Sequence, residues 1–191
     1  IIASMLESTP RAELRTLLIA NRGEIAVRII RAARQLGLRT VAVYSDGEQD
    51  ALHVRLADDA WRLDSAAPIP YLDQDAILRV AAEAGADAIH PGYGFLAENA
   101  GFARACTEAG LVFVGPPPDA IAAMGDKIEA RSLAAAAGVP MVAGTEGPVA
   151  SAEDAQAWAD AHGYPVAVKA SGGGGGRGFR VARSATEIAE A

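Results

Sequence analysis

A lysine followed by a run of glycines is the feature of this sequence best suited to chemistry. Lys169 ends a β-branched run, five consecutive glycines follow at 172–176, and a second apolar run starts at Phe179. Glycine lets backbone N–H groups turn toward a ligand without obstruction by a Cβ, which suits a phosphate. In isolation such a run is more typical of a flexible tether. Because β-rich segments flank it on both sides, the sequence favours a phosphate-binding hairpin loop within one folded unit.

The glycine pattern differs from the common phosphate loops. Gly173, Gly175 and Gly178 fit G-x-G-x-x-G, but a Rossmann or Walker loop joins a strand to a helix, whereas this loop joins two predicted strands. No G-K-[ST] follows, which excludes a Walker A loop. In protein kinases the VAIK lysine comes after the glycine loop, whereas Lys169 comes before it. The order of the motif therefore excludes a kinase loop.

Lysine is rare in this chain, which draws attention to the two that occur. Of 17 basic residues, 15 are arginine, and the lysines are Lys127 and Lys169. Lys127 follows Asp126, a predicted helix N-cap, and Lys169 adjoins the glycine loop. A compact ammonium suits a phosphate oxygen or an adenine-side contact where a planar guanidinium would be bulkier. Two solvated lysines are the alternative, but their positions beside turns favour binding.

Two further motifs follow predicted strands. HPGYGFLAEN (90–99) stands at the carboxyl end of a strand, where open α/β sheets bind ligands. A Pro-Gly turn before an asparagine-capped helix explains most of it, but leaves Tyr93 and Glu98 as candidates for side chains that face an active site. ANRGE (20–24) is interpreted as strand-to-helix turn chemistry in which Asn21 caps the helix, because a single glycine makes no dinucleotide fingerprint. Asp46 in SDGEQD is interpreted as a turn residue.

Alternation of apolar runs and helical patterns predicts an α/β fold with a parallel sheet. Strands are predicted at 16–20, 40–45, 60–63, 87–90, 111–115, 165–170 and 178–182. Helices are predicted at 24–36, 72–84, 99–109 and 152–162, with two more whose N-caps are Asp119 and Asp126 and another starting at Ser184. Gly138 followed by Pro140 ends the second of these two capped helices, and a new unit starts at about Met141, so two domains are predicted, 14–140 and 141–191.

Composition excludes several classes of protein. The formal net charge of −7 argues against a nucleic-acid surface, which needs a basic patch. Cys106 is the single cysteine, so there is no internal disulfide, and we expect it to be buried in a helix. The three histidines form no metal spacing, and no apolar run approaches the ~20 residues that a membrane span needs. A cytoplasmic protein is expected.

Four stretches, in this order, resemble one family of ATP-dependent enzymes. ANRGEIAVRIIRAARQLG (20–37) and IHPGYGFLAENAGFA (89–103) resemble the opening domain of biotin carboxylase. MGDK (124–127) follows, and YPVAVKASGGGGGRG (164–178) is similar to the signature that carbamoyl-phosphate synthases and biotin-dependent carboxylases share among ATP-grasp ligases. The chain therefore resembles the N-terminal part of the biotin carboxylase of an acyl-CoA or pyruvate carboxylase.

The resemblance implies a Rossmann-like parallel-sheet N-terminal domain, the pre-ATP-grasp domain, followed by the start of an ATP-grasp lid domain. Such enzymes use ATP and Mg²⁺ to activate bicarbonate and then carboxylate protein-bound biotin. By the family motif, Lys127 and Lys169 would contact ATP, and Gly175 and Gly176 would close their amides over the phosphates as preorganised donors. Phe179 stands where the family usually has Met or Ile.

The resemblance also implies partners and limits. The catalytic residues and metal ligands of the family would lie after Ala191, so the chain alone is expected to be inactive. A biotinylated carrier, a carboxyltransferase and a second copy of the chain are the implied partners. The homodimer contacts of the family fall on the first helix, where Arg28 and Arg31 match and Gln35 replaces an acidic residue. A solvated face with a Glu24–Arg28 pair is the simpler interpretation of this stripe.

Two other interpretations remain open. The chain could be part of another ATP-grasp ligase of the carbamoyl-phosphate synthase type, although ANRGEIA and HPGYGF argue against that. It could instead be a non-catalytic truncated module that binds nucleotide or a partner subunit. Downstream carboxylates in a continuing reading frame would favour the enzyme.

Overall fold

Two units make up the part of the chain that the structure, a computed structural model, describes. The described residues are 14–145, 147–170 and 178–190. The first unit ends at Ala122 and the second begins at Ala123. Within the described ranges, no helix is long and apolar enough to cross a membrane.

The first unit contains a five-stranded parallel sheet. Its strands are β1 (Thr16–Ile19), β2 (Arg39–Tyr44), β3 (Asp59–Arg62), β4 (Ala88–His90) and β5 (Val112–Phe113). Their order in the sheet is β3-β2-β1-β4-β5, and every neighbouring pair is parallel. The chain runs outward from β1 through β2 to β3 and then returns to the other side of β1. The strand order therefore reverses between β1 and β4, the position at which open α/β sheets bind ligands.

Helices cover both faces of this sheet. They are α1 (Gly23–Gln35), α2 (Leu52–Leu56), α3 (Gln74–Glu83) and α4 (Ala100–Glu108), with a 3₁₀ turn at Pro70–Leu72 and α5 (Pro118–Gly125) crossing the boundary between the units. On one face Leu18 of β1 packs in a core with Ile77 and Phe102, and on the other Ile19 packs in a core with Ile30. Successive residues of β1 face opposite ways and all are buried, which explains its unbroken apolar sequence.

In its described residues, the second unit contains a β-hairpin and three helices, besides the end of α5. These elements are α6 (Lys127–Ala136), α7 (Ala152–His162), β6 (Val166–Lys169), β7 (Phe179–Ala182) and α8 (Ala185–Ile188). The two strands are antiparallel, with Val166 opposite Ala182 and Lys169 opposite Phe179. Ala159, Ala182 and Ile188 form its small buried core.

Most of the predicted elements are confirmed, with shifts of a few residues at their ends. Asp126 is the N-cap of α6, as predicted, but Asp119 lies in the first turn of α5, because that helix begins at Pro118. The short helix α2 and the 3₁₀ turn were not predicted. Cys106 is buried in α4, as expected, and burial raises the pKa of its thiol to about 11.

Candidate functional site

Asn21 joins the loops that follow β1 and β4. Its side chain is fully buried, and its Nδ2 donates hydrogen bonds to the carbonyl oxygens of Pro91, at 2.7 Å, and Tyr93, at 3.0 Å. Its Oδ1 accepts a hydrogen bond from the Arg22 amide at 2.9 Å. The prediction that Asn21 caps α1 was therefore wrong: Arg22 is the N-cap residue and makes no side-chain cap. The motifs ANRGE (20–24) and HPGYGFLAEN (90–99) are therefore hydrogen-bonded to each other where the strand order reverses.

The loop after β4 has an unusual backbone. Gly92 has φ +68°, and a Cβ there would lie 2.8 Å from Asn21 Nδ2 and 2.6 Å from Ile25 Cγ2. Gly94 also has positive φ, at +72°, and Phe95 adopts φ +42° although it is not glycine. A bulky residue in this region is strained, and such strain is concentrated at functional sites.

Tyr93 and Glu98 are placed differently by this loop. The Tyr93 side chain is 61% exposed, and its hydroxyl donates to Glu24 Oε1 at 2.6 Å, which raises the pKa of Tyr93. Glu24 thus bonds to Tyr93, and the predicted Glu24–Arg28 pair is not found among the ion pairs of the described residues. Glu98 is exposed, and the next residue, Asn99, caps α4 as predicted by accepting from the Phe102 amide at 2.9 Å.

Glu48 contributes a third loop, the one after β2, to the same edge of the sheet. Its carboxylate accepts hydrogen bonds from the Ser45 amide at 3.1 Å, the Ser45 hydroxyl at 2.6 Å, the Tyr71 hydroxyl at 2.7 Å and Nη1 of Arg22. Burial alone would raise the pKa of Glu48, but the hydrogen bonds from Ser45, Tyr71 and Arg22 outweigh it and lower the pKa to about 2. Sequence reasoning missed Glu48 because two of its partners, Arg22 and Tyr71, are more than 20 residues away in the chain.

The Tyr71 ring connects Glu48 to the strained loop. It is buried and stacks on Phe95 with ring centroids 5.0 Å apart and planes 15° from parallel. Burial, and then the hydrogen bond to Glu48, raise the pKa of Tyr71, so its hydroxyl stays a donor. Arg22, Glu48 and Phe95 all line an open cleft of about 460 Å³. Asp46 lies outside this cluster and pairs at the surface with Arg62, with Nε–Oδ1 at 2.6 Å.

In the second unit, Lys169 ends β6 directly opposite Phe179. Its Nζ lies 5.6 Å from the centroid of the Phe179 ring, within the range of a cation–π contact. The hairpin pairing continues toward the glycine run, because the Ala170 amide donates to the Gly178 carbonyl at 2.8 Å. Gly178 has φ +66°, and a Cβ there would lie 2.7 Å from the Ala170 Cβ, so this position requires glycine. The predicted phosphate-binding residues Gly175 and Gly176 lie outside the described residues.

Lys127 is the first residue of α6. The Asp126 cap before it accepts from the amides of Ile128, at 2.8 Å, and Glu129, at 3.0 Å, and these bonds lower the pKa of Asp126. The backbone at Lys127 is therefore fixed by a capped helix start. In the ranges that the structure covers, no group of three or more His, Cys, Asp or Glu side chains could hold a metal ion.

The fold and this arrangement of loops define a doubly wound α/β protein with its candidate site at the carboxyl edge of the sheet. Residues 13–121 match the family described as "Biotin carboxylase, N-terminal domain". Residues 126–191 match the family described as "Carbamoyl-phosphate synthase L chain, ATP binding domain". The first match covers more than half of the chain, and the chain belongs to the biotin carboxylase family.

Relatives and a solved structure agree with this assignment. The chain is 54% identical to biotin carboxylase 1 of Bacillus subtilis over 176 residues, which are 92% of the chain and 39% of that protein. It is 52% identical to the biotin-dependent acyl-coenzyme A carboxylase alpha3 subunit of Mycobacterium leprae, over 97% of the chain and 31% of that protein. The chain thus spans well under half the length of these relatives.

The biotin carboxylase domain of the Hydrogenobacter thermophilus 2-oxoglutarate carboxylase has the same fold. That structure is a dimer in complex with MgADP, ADP and bicarbonate. It matches with a TM-score of 0.85 and 48% sequence identity, over 93% of this chain and 39% of that one. The likeness includes both units, which supports the biotin carboxylase assignment over the carbamoyl-phosphate synthase alternative.

Proposed function

We propose that this chain forms the N-terminal part of an ATP-dependent biotin carboxylase, a ligase that activates bicarbonate with ATP and carboxylates protein-bound biotin. The observation that carries the proposal is the order of the two family matches, a biotin carboxylase N-terminal domain directly followed by an ATP-binding domain. Bound ATP would supply the phosphoryl group that activates bicarbonate. The residues of this chain would bind the nucleotide and shape one side of the reaction site.

Lys169 is proposed to contact the nucleotide phosphates from the end of β6. The position fits, because Lys169 precedes the glycine run by three residues in the sequence and ends a strand of a hairpin whose pairing extends to Ala170 and Gly178. Gly175 and Gly176 are proposed to donate their amides to the phosphates, and Lys127 to make a second contact with ATP. Mg²⁺ is proposed to take its ligands from other parts of the carboxylase, as the family resemblance implies.

Tyr93 and Glu98 are proposed to face the reacting groups from the first unit. The supporting observation is that their loop follows β4 at the reversal of strand order, where sheets of this class bind ligands. The exposed Tyr93 ring is oriented by its hydrogen bond to Glu24. Neither side chain is assigned a chemical step.

A biotinylated carrier, a carboxyltransferase and a second copy of the chain are the proposed partners. The Hydrogenobacter thermophilus domain is a dimer. On α1, Arg28, Arg31 and Gln35 are all exposed and free of the buried core, which leaves this stripe open to a second subunit. Gln35 lacks the charge that the family resemblance leads us to expect at this position.

The proposal is tested with the carboxylase that carries this segment, by measuring ATP-dependent carboxylation of biotin for Lys169→Ala. Loss of the ammonium is expected to lower kcat/KM for ATP about a hundredfold, because a charge-stabilising donor is removed. Arg180→Ala is the matched control. Arg180 is a cation on β7 of the same hairpin, opposite Val168, and so points to the other face from Lys169. Its loss should change kcat/KM by no more than about twofold.

Two results would contradict the proposal. Wild-type activity in Lys169→Ala would remove the lysine from the nucleotide site. Nucleotide binding by the wild-type protein without any carboxylation of biotin would identify the chain as part of the non-catalytic module considered above.

A further inference from the structure

We propose that Glu48 is a positioning residue that holds the loop of residues 91–95, and with it Tyr93, through Tyr71 and Arg22. The inference rests on the proposed function only in giving Tyr93 a place at the reaction site. The mechanical part, that Glu48 sets the shape of this loop, stands on the contacts alone.

The Glu48 carboxylate is the centre of the cluster. Its side chain is 17% exposed and accepts four hydrogen bonds, two of them from Ser45 and one each from Tyr71 and Arg22. A carboxylate held by this many donors stays ionised and has a single orientation. The Glu48 side chain is therefore held in a fixed position in the loop after β2, although that loop is at the surface.

The first route from Glu48 to the loop runs through Tyr71. The Tyr71 hydroxyl donates to Glu48 at 2.7 Å, and its ring stacks on Phe95. Phe95 is the residue with φ +42°, a conformation that a bulky side chain adopts only when its surroundings impose it. The stacked Tyr71 ring supplies that constraint. Its hydroxyl is held mainly by Glu48, at 2.7 Å, with the Val43 carbonyl oxygen farther away at 3.3 Å.

The second route runs through Arg22. Its guanidinium pairs with Glu48, and its backbone amide donates to Asn21 Oδ1. With Oδ1 occupied, the Asn21 carboxamide presents its Nδ2 to the carbonyl oxygens of Pro91 and Tyr93. The Arg22 backbone amide thus sets the orientation of the Asn21 carboxamide, and the Glu48 carboxylate holds the Arg22 guanidinium.

These routes reach the backbone on both sides of Tyr93. The Asn21 bonds hold residues 91 and 93, and the Tyr71 stack holds residue 95. Loss of the Glu48 charge is therefore expected to loosen Tyr93. The hairpin of β6 and β7, which carries Lys169, belongs to the second unit, so we expect the contacts within it to be unaffected by the loss of the Glu48 charge.

The experiment compares Glu48→Gln, Tyr71→Phe and Asp46→Asn in the carboxylase that carries this segment. Tyr71→Phe removes only the hydroxyl and keeps the ring. Asp46→Asn is the control. It removes a carboxylate from the same loop as Glu48, but the partner of that carboxylate is the exposed Arg62. Hydrogen exchange of the peptide covering residues 91–96 is measured by mass spectrometry, alongside kcat, KM for ATP and KM for biotin.

We expect faster exchange of this peptide in Glu48→Gln and Tyr71→Phe, and unchanged exchange in Asp46→Asn. In Glu48→Gln, kcat/KM for biotin should fall about tenfold or more, with KM for ATP within about twofold of the wild type. A general loss of folding would instead raise exchange throughout the first unit. Tyr71→Phe leaves the Ser45 and Arg22 hydrogen bonds to Glu48 in place, so it tests the loop with less risk of that general loss of folding.

Tyr93→Phe separates this inference from the proposed function. If Glu48 acts through Tyr93, the activity losses of Glu48→Gln and Tyr93→Phe will not be additive in the double variant. Unchanged exchange of residues 91–96 in both Glu48→Gln and Tyr71→Phe would overturn the positioning role. Faster exchange with full activity in Tyr93→Phe would support the positioning role and overturn the proposed place of Tyr93 at the reaction site.

Discussion

Gly92, in the loop after β4, packs against Asn21 and Ile25, which follow β1. Its backbone has φ +68°, and an added Cβ would lie 2.6 Å from Ile25 Cγ2 and 2.8 Å from Asn21 Nδ2. Its neighbour Gly94 has a similar φ of +72°, but an added Cβ would meet no atom within 4 Å. The two glycines therefore separate the effect of backbone strain from the effect of close packing.

We predict that Gly92→Ala destabilises the first unit by about 3 kcal/mol, whereas Gly94→Ala costs about 1 kcal/mol. Both variants bear the strain of an L residue at positive φ, and only Gly92→Ala also displaces Asn21 and Ile25. Urea unfolding of the chain, followed by Trp61 fluorescence in a Trp158→Phe background, measures the difference. Equal losses would show that the contact with Asn21 does not constrain the loop.

The Asn21 side chain shows what the sequence can and cannot predict about single residues. Asparagine before a helix is typical of an N-cap, and that interpretation uses only neighbouring positions. The actual partners, Pro91 and Tyr93, are about 70 residues away along the chain. The same reason hid Glu48, whose partners Arg22 and Tyr71 are 26 and 23 residues away along the chain.

At the level of elements the sequence was more informative. Apolar runs located β1, β2 and β4 because parallel strands buried on both faces have unbroken apolar sequences. The edge strands β3 and β5 are less buried and gave shorter or weaker signals. Helix ends were predictable where a local signal sets them, as at Asp126 and Asn99. The helix α2 was missed because five residues are too few for a helical period to be visible. The hairpin around the glycine run was predicted from its two β-rich flanks, and β6 and β7 confirm it.

The Asp126 cap gives a prediction for α6. The helix has 10 residues, and none of its residues from Ile128 to Ala136 is buried, so we expect its stability to depend strongly on its end. Asp126→Ala removes the acceptor for the Ile128 and Glu129 amides and should cost about 1 kcal/mol. Asp126→Asn keeps an acceptor oxygen, so it should cost a few tenths of a kcal/mol. Hydrogen exchange of residues 127–136 measures both.

An equal increase in the hydrogen exchange of residues 127–136 in Asp126→Ala and Asp126→Asn would contradict the capping account. It would mean that the charge beside the helix N-terminus, and not the hydrogen-bond acceptor, stabilises the start of α6. Because α6 begins at Lys127, the result also bears on the proposed nucleotide contact. In the carboxylase, a weakened cap should raise KM for ATP if Lys127 contacts the nucleotide.

At the scale of the whole molecule, the loops of three parallel strands meet at one edge of the sheet, and one ionised group connects them. The lowered pKa of Glu48 makes this connection dependent on pH. A carboxyl whose pKa falls from 4.5 in the unfolded chain to about 2 in the folded one stabilises the fold fully above pH 4.5. That contribution is lost as the pH falls from 4.5 toward 2.

We predict that Glu48→Gln lowers the free energy of unfolding of the first unit by on the order of 2 kcal/mol at pH 6, after a discount for partial exposure to solvent. The difference from wild type should shrink below pH 4.5 and nearly vanish close to pH 2, where the native carboxyl is itself protonated. Urea titrations at pH 6, 4 and 3, read by Trp61 fluorescence in the Trp158→Phe background, test this.

Asp46→Asn is the control. Its carboxylate is paired at the surface with Arg62, so its smaller effect should disappear in about 0.5 M salt while that of Glu48→Gln persists. A difference that stays constant from pH 6 to pH 3 would show that the shape of the Glu48 side chain, and not its charge, holds the three loops together.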